Sequence, residues 1–451
     1  MKTLVLRSVM KLLSAAVFLT LAWPSHAQRS EDWLRCENMD HNFSPDLQIG
    51  GCTAVIQSGR ETNRNLAVAF YNRGITYRRI GERERALSDI NEAIRLDPRD
   101  PDHFIARGNV YSDLRENEQA IASYDQAIRI NPNNARTYNY RGLSYEAKKD
   151  YDKALADYNR AIQLNPKYAD AYINRGDVYT AKGDRNRAVA EYSEAIKMEP
   201  NSYYAYSNRG YQFVEMAEYD RAIQDLSEAI RINPKAFNAI NNRGRAYLSK
   251  KDYDRALADF ERVIELNPKY HFAYNNRGIV NLRKGDDDRA LADFSEAIRL
   301  QPNYATAFDN RAIVYERKRD FDREIADRND AIRLDPSNAG YWNSRCWARA
   351  VANRDLPRAL SDCDHSLSLV PNAPNTLDSR GFVYFRLGRF DEAINDYNAR
   401  LKLQPKSAHS LYGRGLAKLK KGDEIGGKAD IEAAKTISPK IEESYAGYGV
   451  K

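Results

Sequence analysis

Proline returns every 34 residues through most of this 451-residue chain, and no other feature of the sequence restricts the fold as strongly. Pro98, Pro132, Pro166, Pro200, Pro234, Pro268, Pro302 and Pro336 hold strict phase; Pro371, Pro405 and Pro439 continue it after a slip of one residue. Arg73, Arg107, Arg141 and their successors to Arg414 keep the same beat. Within one period, Ala135 to Tyr168, small or apolar residues recur three and four apart: Tyr138, Gly142 and Tyr145, then Ala154, Leu155, Tyr158, Ala161 and Ile162. That is the spacing of two helices, each with one buried stripe. Lys148–Tyr151 reads as the turn between them and Pro166 as the stop. Such units bury their stripes only against neighbours, so the length does not translate into two or three globular domains.

A helix–turn–helix period of 34 residues with this pattern strongly resembles the tetratricopeptide repeat. The resemblance implies an all-α fold, a right-handed α–α superhelical solenoid of about eleven hairpins over residues 67–441, irregular at 305–373. Residues 28–66 read as a degenerate N-terminal cap repeat with its linker, and 442–451 as a C-terminal cap and tail. The last helix, from about Lys440 to Tyr448, is expected to close the exposed end. In the irregular region Glu324 and Arg328 replace the small and aromatic residues of the pattern. Their spacing of four suits an ion pair on one helix. The extra residue falls in the Asn353–Pro357 turn.

Residues 1–27 are set apart. Lys2, Arg7 and Lys11 lead into an apolar run from Leu12 to Trp23, and Ser25-His26-Ala27 offers small residues for cleavage. This is the pattern of a secretory signal peptide, too short and wrongly flanked for a membrane span. Its removal near Ala27 lowers the formal charge from +7 to +4. The mature chain is expected to be periplasmic or secreted, with any outer-membrane association running through partners.

The four cysteines fit the register. Cys346 stands in the Gly142 slot and Cys363 in the Tyr158 slot, which face each other across the hairpin. Cys36 and Cys52, sixteen apart like Gly142 and Tyr158, fall on the same two slots of the cap. Disulfides Cys36–Cys52 and Cys346–Cys363 are expected, the first closing a loop for about 3 kcal/mol. A four-cysteine zinc site is the weaker reading, since no C-x₂-C pair is present.

Three further slots carry the packing argument. Glycines such as Gly74, Gly142 and Gly278 are expected where the helices cross, facing alanines such as Ala86, Ala154 and Ala290. Tyrosines in the Tyr77 and Tyr124 slots are expected to fill gaps between neighbouring repeats. The Arg141-slot arginine is accompanied by an acid in the Asp157 slot, which predicts an ion pair across each hairpin.

For function, catalysis finds no support: no HExxH, Walker loop, dinucleotide fingerprint or GxSxG is present, and no metal or cofactor motif. A charge of +4 spread over the mature chain is a weak footprint for nucleic acid. A binding scaffold remains. The resemblance implies that first helices line a concave groove that takes an extended peptide or protein partner. Asn72, Asn174, Asn208, Asn242, Asn276 and Asn310 share one groove slot, beside Asn139, Ser207, Asn241 and Asn275. A ladder of amides there would hydrogen-bond a peptide backbone without reading its side chains. Arg283, Arg317, Arg386 and Lys420 share a second slot near Phe382 and Phe385, while Asp102, Asp113, Asp170 and Asp177 mark the early repeats. The groove is therefore expected to run from acidic to basic. A role in cell-envelope assembly follows as the expectation, with a non-catalytic subunit of an envelope enzyme or polysaccharide-export complex as the alternative.

Overall fold

The computed structural model describes residues 30–39 and 42–450, and the expected leader at 1–27 lies outside them. Among the described residues there are 25 helices and no strand. The chain divides into two compact units between Val178 and Tyr179.

In the first unit, α1 (Glu31–Glu37) and α2 (Pro45–Gln57) precede α3 (Asn63–Arg79), α4 (Arg83–Leu96), α5 (Pro101–Asp113), α6 (Asn117–Ile130), α7 (Ala135–Ala147) and α8 (Tyr151–Leu164). Helix α9 (Ala169–Ala181) carries the division. The second unit holds α10 (Arg185–Met198), α11 (Tyr203–Glu215), α12 (Tyr219–Ile232), α13 (Phe237–Ser249), α14 (Tyr253–Leu266), α15 (His271–Lys284), α16 (Asp287–Leu300), α17 (Ala305–Arg317) and α18 (Phe321–Leu334). It continues through α19 (Ala339–Val351), α20 (Leu356–Leu369), α21 (Pro374–Arg386), α22 (Phe390–Leu403), α23 (Ala408–Lys420), α24 (Glu424–Ile437) and α25 (Ile441–Gly447).

Every repeat hairpin but the ninth turns on one left-handed residue. Lys149 has φ +61°, and the next N–H, of Asp150, donates to the Tyr145 carbonyl at 2.9 Å. This is the bond that closes a helix C-terminus in a Schellman turn. Asp150 then caps α8 by accepting from the Lys153 N–H. Arg115, Ala217, Lys251 and Arg319 repeat that backbone without glycine, whereas Gly81, Gly183, Gly285, Gly388 and Gly422 adopt it freely. In the 353–357 turn the extra residue is absorbed by two left-handed residues, Asn353 and Asp355.

The small slot works differently from the sequence reading. A Cβ on Gly142 would meet the Tyr158 ring at 2.6 Å, and one on Gly278 the Phe294 ring at 2.7 Å. The large slot of the second helix thus fills the space its own hairpin's glycine leaves, and it reaches the next repeat as well, where Tyr158 clusters with Val178 and Tyr397 closes on Gly413. The alanines, fully buried, approach through their backbone, as Ala86 O does 3.2 Å from a Cβ on Gly74. Tyrosines in the other slot lie under a cation from the next helix start. Arg85 sits 4.0 Å over Tyr77 and Arg255 4.5 Å over Tyr247, a favourable cation–π geometry.

The cysteines are fully buried and bonded, Cys36 to Cys52 and Cys346 to Cys363, with Cα atoms 4.4 and 5.5 Å apart. A covalent bond stands there where other hairpins lay a ring on a glycine. Glu324 and Arg328 are also buried, their side-chain atoms 3.0 Å apart, and Arg328 reaches Asp309 (2.8 Å) and Glu316 (3.2 Å) as well. One guanidinium thereby faces three carboxyls in repeat eight.

Candidate functional site: the inner face of the first helices

Curvature follows from which helices touch. In the second unit, α13 packs directly on α11 and α15, and α21 on α19 and α23, while second helices join the stack through first helices. First helices therefore line the inner side.

A three-armed arginine holds neighbouring repeats at a fixed spacing. Arg141 forks onto Asp157, with Nε 2.8 Å from Oδ2 and Nη2 2.6 Å from Oδ1. The same fork joins Arg73–Asp89, Arg209–Asp225, Arg243–Asp259, Arg277–Asp293, Arg311–Asp327, Arg345–Asp362, Arg380–Asp396 and Arg414–Asp430. Arg107 bonds Ser123 in that place, at 3.1 Å. The remaining nitrogen, Nη1, crosses to the second helix of the preceding repeat: Arg141 to Asp125 at 2.6 Å, Arg209 to Ser193 at 3.0 Å, Arg311 to Ser295 at 3.0 Å. Arg73 makes this bond to Thr53 of the cap, at 2.9 Å, so α2 serves as the second helix of a preceding repeat. Sequence reasoning found the first arm and missed the second. Its only signal is a polar residue sixteen before most of the arginines (twenty before Arg73), and no single type occupies that place.

The asparagine slot splits in two. Asn174 donates to Asn139 (2.9 Å), Asn276 to Asn241 (3.1 Å) and Asn310 to Asn275 (2.9 Å), each acceptor lying in the preceding repeat. The acceptors are buried, 2–5 % exposed. These three amides are therefore stacking bonds between first helices, a correction to the reading that the whole ladder faces a peptide. A buried carbonyl needs a donor, and the next repeat's amide supplies it. Where the acceptor position is Ser207, one bond shorter, the junction between α11 and α13 opens instead. There Asn208 and Asn242 line a cleft of about 470 Å³ with Tyr203, Tyr204, Tyr211 and Asn238. Asn242 accepts from Arg245 at 3.3 Å, and Tyr204 is 60 % exposed. Asn72 is half-buried on α3, and the pocket beside it in the first unit is lined by Tyr71, Arg78, Asp102, Asn109 and Tyr140.

The basic slot divides as well. Arg283 and Lys420 are exposed. Arg317 is held by the Leu282 carbonyl (2.8 Å) and Asp287 (3.0 Å). Arg386 donates to the Tyr448 carbonyl of the chain's own C-terminus and lies 5.2 Å over Phe382, and burial pushes its pKa down. Among the early acids, Asp113 is neutralised by Arg78 at 2.6 Å. Local pairs thus take up Asp113 and Arg317, while Arg283 and Lys420 stay exposed. Among the described residues no cluster of three or more His, Cys, Asp or Glu is placed to hold a metal, and no helix is long and apolar enough to cross a membrane.

Hairpins locked at a constant spacing, with amides and aromatic rings along their inner helices, define a helical-repeat solenoid. Tetratricopeptide repeat patterns match residues 67–100, 135–168, 208–271, 241–305, 275–339 and 347–411, and TPR repeat patterns match 108–149 and 176–216. The chain belongs to the tetratricopeptide repeat proteins. Its fold is similar to a crystal structure of the APC/C hetero-tetramer Cut9–Hcn1, at 14% identity and TM-score 0.53, over 93% of this chain and 96% of that one. A tetratricopeptide repeat protein from Parabacteroides merdae is 20% identical with TM-score 0.46, over 54% of this chain and 97% of that one. YrrB, a TPR protein with an unusual peptide-binding site, is 25% identical with TM-score 0.36, over 41% of this chain and 95% of that one. No curated protein matches the sequence.

Proposed function

We propose that the chain is a non-enzymatic protein-binding scaffold whose inner face grips an extended peptide, with the junction of α11 and α13 as its principal cleft. The observation that carries this reading is the open cleft itself, where Asn242 stands beside the exposed Tyr204, while Asn174, Asn276 and Asn310 are each bonded to an asparagine of the preceding repeat. An amide offers both a donor and an acceptor, as a peptide backbone requires, and tyrosine faces offer apolar area at low entropic cost. Neither nucleic acid nor a cofactor enters this reading.

Two buried disulfides support an oxidising compartment, so the scaffold acts in the cell envelope or outside the cell, in assembly. A photo-crosslinking residue at Tyr204, in intact cells, should capture a protein partner. The same residue at Leu403, 50 % exposed at the end of a second helix, should not. Equal capture at both positions, or none at Tyr204, refutes the inner-face reading.

A further inference from the structure

One inner-face position changes character along the array. Ile75 and Leu143 occupy it in the first unit and are 36 % and 40 % exposed. Phe382, the equivalent residue of repeat ten, is fully buried. What covers it is the C-terminus. The Tyr448 ring lies 5.9 Å from Phe382, 5.1 Å from Trp347 in an edge-on arrangement and 5.9 Å from His409. Val450 packs on the same cluster. Two arginines grip the backbone: Arg319 donates to the Gly447 carbonyl and Arg386 to the Tyr448 carbonyl.

The capping helix therefore does more than close the end. Ile441 is the cap proper, buried against the last hairpin. From Tyr445, whose ring meets Phe382 and whose hydroxyl donates to the His409 carbonyl at 2.9 Å, the chain runs on to Arg319, 128 residues back in the sequence. Gly447 and Gly449 flank Tyr448, and each lies beside one of the two guanidiniums, Gly447 beside Arg319 and Gly449 beside Arg386. Gly449 also has φ +75°, a backbone that other residues adopt only with strain.

We propose that the inner face from Arg319 to His409 is a second peptide-binding site, for a short segment carrying tyrosines three residues apart, and that the chain's own Tyr445–Val450 segment occupies it as a resident, displaceable ligand. The chemistry of the occupant defines the class of competitor: aromatic rings for Trp347 and Phe382, and free backbone carbonyls for Arg319 and Arg386. A site occupied by its own chain binds a competitor in proportion to the fraction of molecules with the segment released. An open fraction of about one in ten lowers the apparent affinity about tenfold. The proposal rests on the inner face being a peptide-binding surface, but it concerns repeats eight to eleven and not the α11–α13 cleft.

The test uses a labelled peptide with the sequence of Ile441–Lys451, followed by fluorescence anisotropy. A chain ending at Lys440 should bind it saturably, and the full chain at least tenfold more weakly. In the full chain, Arg319→Gln with Arg386→Gln should speed amide hydrogen exchange at residues 445–450 at least tenfold, leaving α22 unchanged. Equal peptide affinity for both chains, or no binding to the folded shortened chain, overturns the proposal. So does unchanged tail exchange in the arginine variant, which decides the matter alone if the shortened chain does not fold. Asn208→Ala with Asn242→Ala serves as the control. It should weaken capture at Tyr204 about tenfold and leave the tail's exchange untouched, so the two readings fail separately.

Discussion

The arginine fork makes a quantitative claim about the second unit. Arg243 holds Asp259 through two bonds of 3.0 and 2.7 Å, with side chains 23 % and 8 % exposed, and reaches Ser227 of the preceding repeat at 3.1 Å. Replacing Arg243 by leucine strands a carboxylate that is almost wholly buried. Breaking such a pair costs about 3–5 kcal/mol, and the lower end applies because the site is not sealed from water. Asp259→Leu leaves a guanidinium that keeps Ser227 and can swing toward solvent, so about 2 kcal/mol is expected. The double variant strands neither charge and should lose no more than about 1 kcal/mol, leaving a coupling of roughly 4 kcal/mol. A repeat array need not unfold in one step, so amide exchange in α13 and α14 is the suitable readout. Because Nη1 crosses to α12, Arg243→Leu should also raise exchange in α12, whereas Asp259→Leu should not. Additive losses in the cycle, or a loss confined to α13 and α14 in both single variants, would refute the three-armed description.

Three other outcomes follow from particular residues. Ala217 pays for a left-handed turn at φ +60°, so Ala217→Gly should stabilise the α11–α12 hairpin by about 1 kcal/mol, read as slower exchange there. Asn276→Ala removes the donor to buried Asn241 and should destabilise by about 1–2 kcal/mol with peptide binding intact; Asn242→Ala should leave stability unchanged and weaken binding by roughly 0.5–1.5 kcal/mol, both measured by melting and by titration of a captured partner peptide. Glu324, pushed up to about 7 by burial with Arg328 as its opposing charge, holds its proton more tightly folded than unfolded. Stability in repeat eight should therefore fall as pH rises from about 4.5 through 7, and Glu324→Gln should remove up to about 3 kcal/mol of that slope while Arg328, Asp309 and Glu316 stay in place.

Helix pairing was legible because the 34-residue beat fixes which residues share a face, and the in-register cysteines were legible for the same reason. The position of the large second-helix residue was not. Periodicity says that Tyr158 is buried, but not that it packs on its own Gly142 as well as on Val178 of the next repeat. That is decided by how closely the helices cross. The arginine's second arm escaped because its acceptor is defined by length and polarity, as in Thr53, Asn91, Asp125 and Ser193, and not by type. The C-terminal contact with Arg319 was beyond any pattern, since it joins residues far apart in sequence through one turn at glycine.

The asparagine slot shows why a repeated residue need not have a repeated role. Asn242 and Asn276 are the same residue in the same slot on adjacent first helices, yet one lines a cleft and the other is bonded into the stack. Their own identity cannot separate them. The difference lies one repeat earlier, where Ser207 precedes Asn242 and Asn241 precedes Asn276. A side-chain carbonyl long enough to cross the junction takes the amide; a hydroxyl on a shorter stem leaves it to whatever enters. If the α11–α13 cleft is the binding position proposed above, the residue that fails to close a junction sets it, and the substitution that should transfer it is Asn241→Ser. That change should free Asn276 and open a second cleft between α13 and α15. A photo-crosslinker on Phe272, 41 % exposed there, would report it. If capture at Phe272 is no greater than in the unmodified chain, the length of the preceding acceptor is not what opens the cleft.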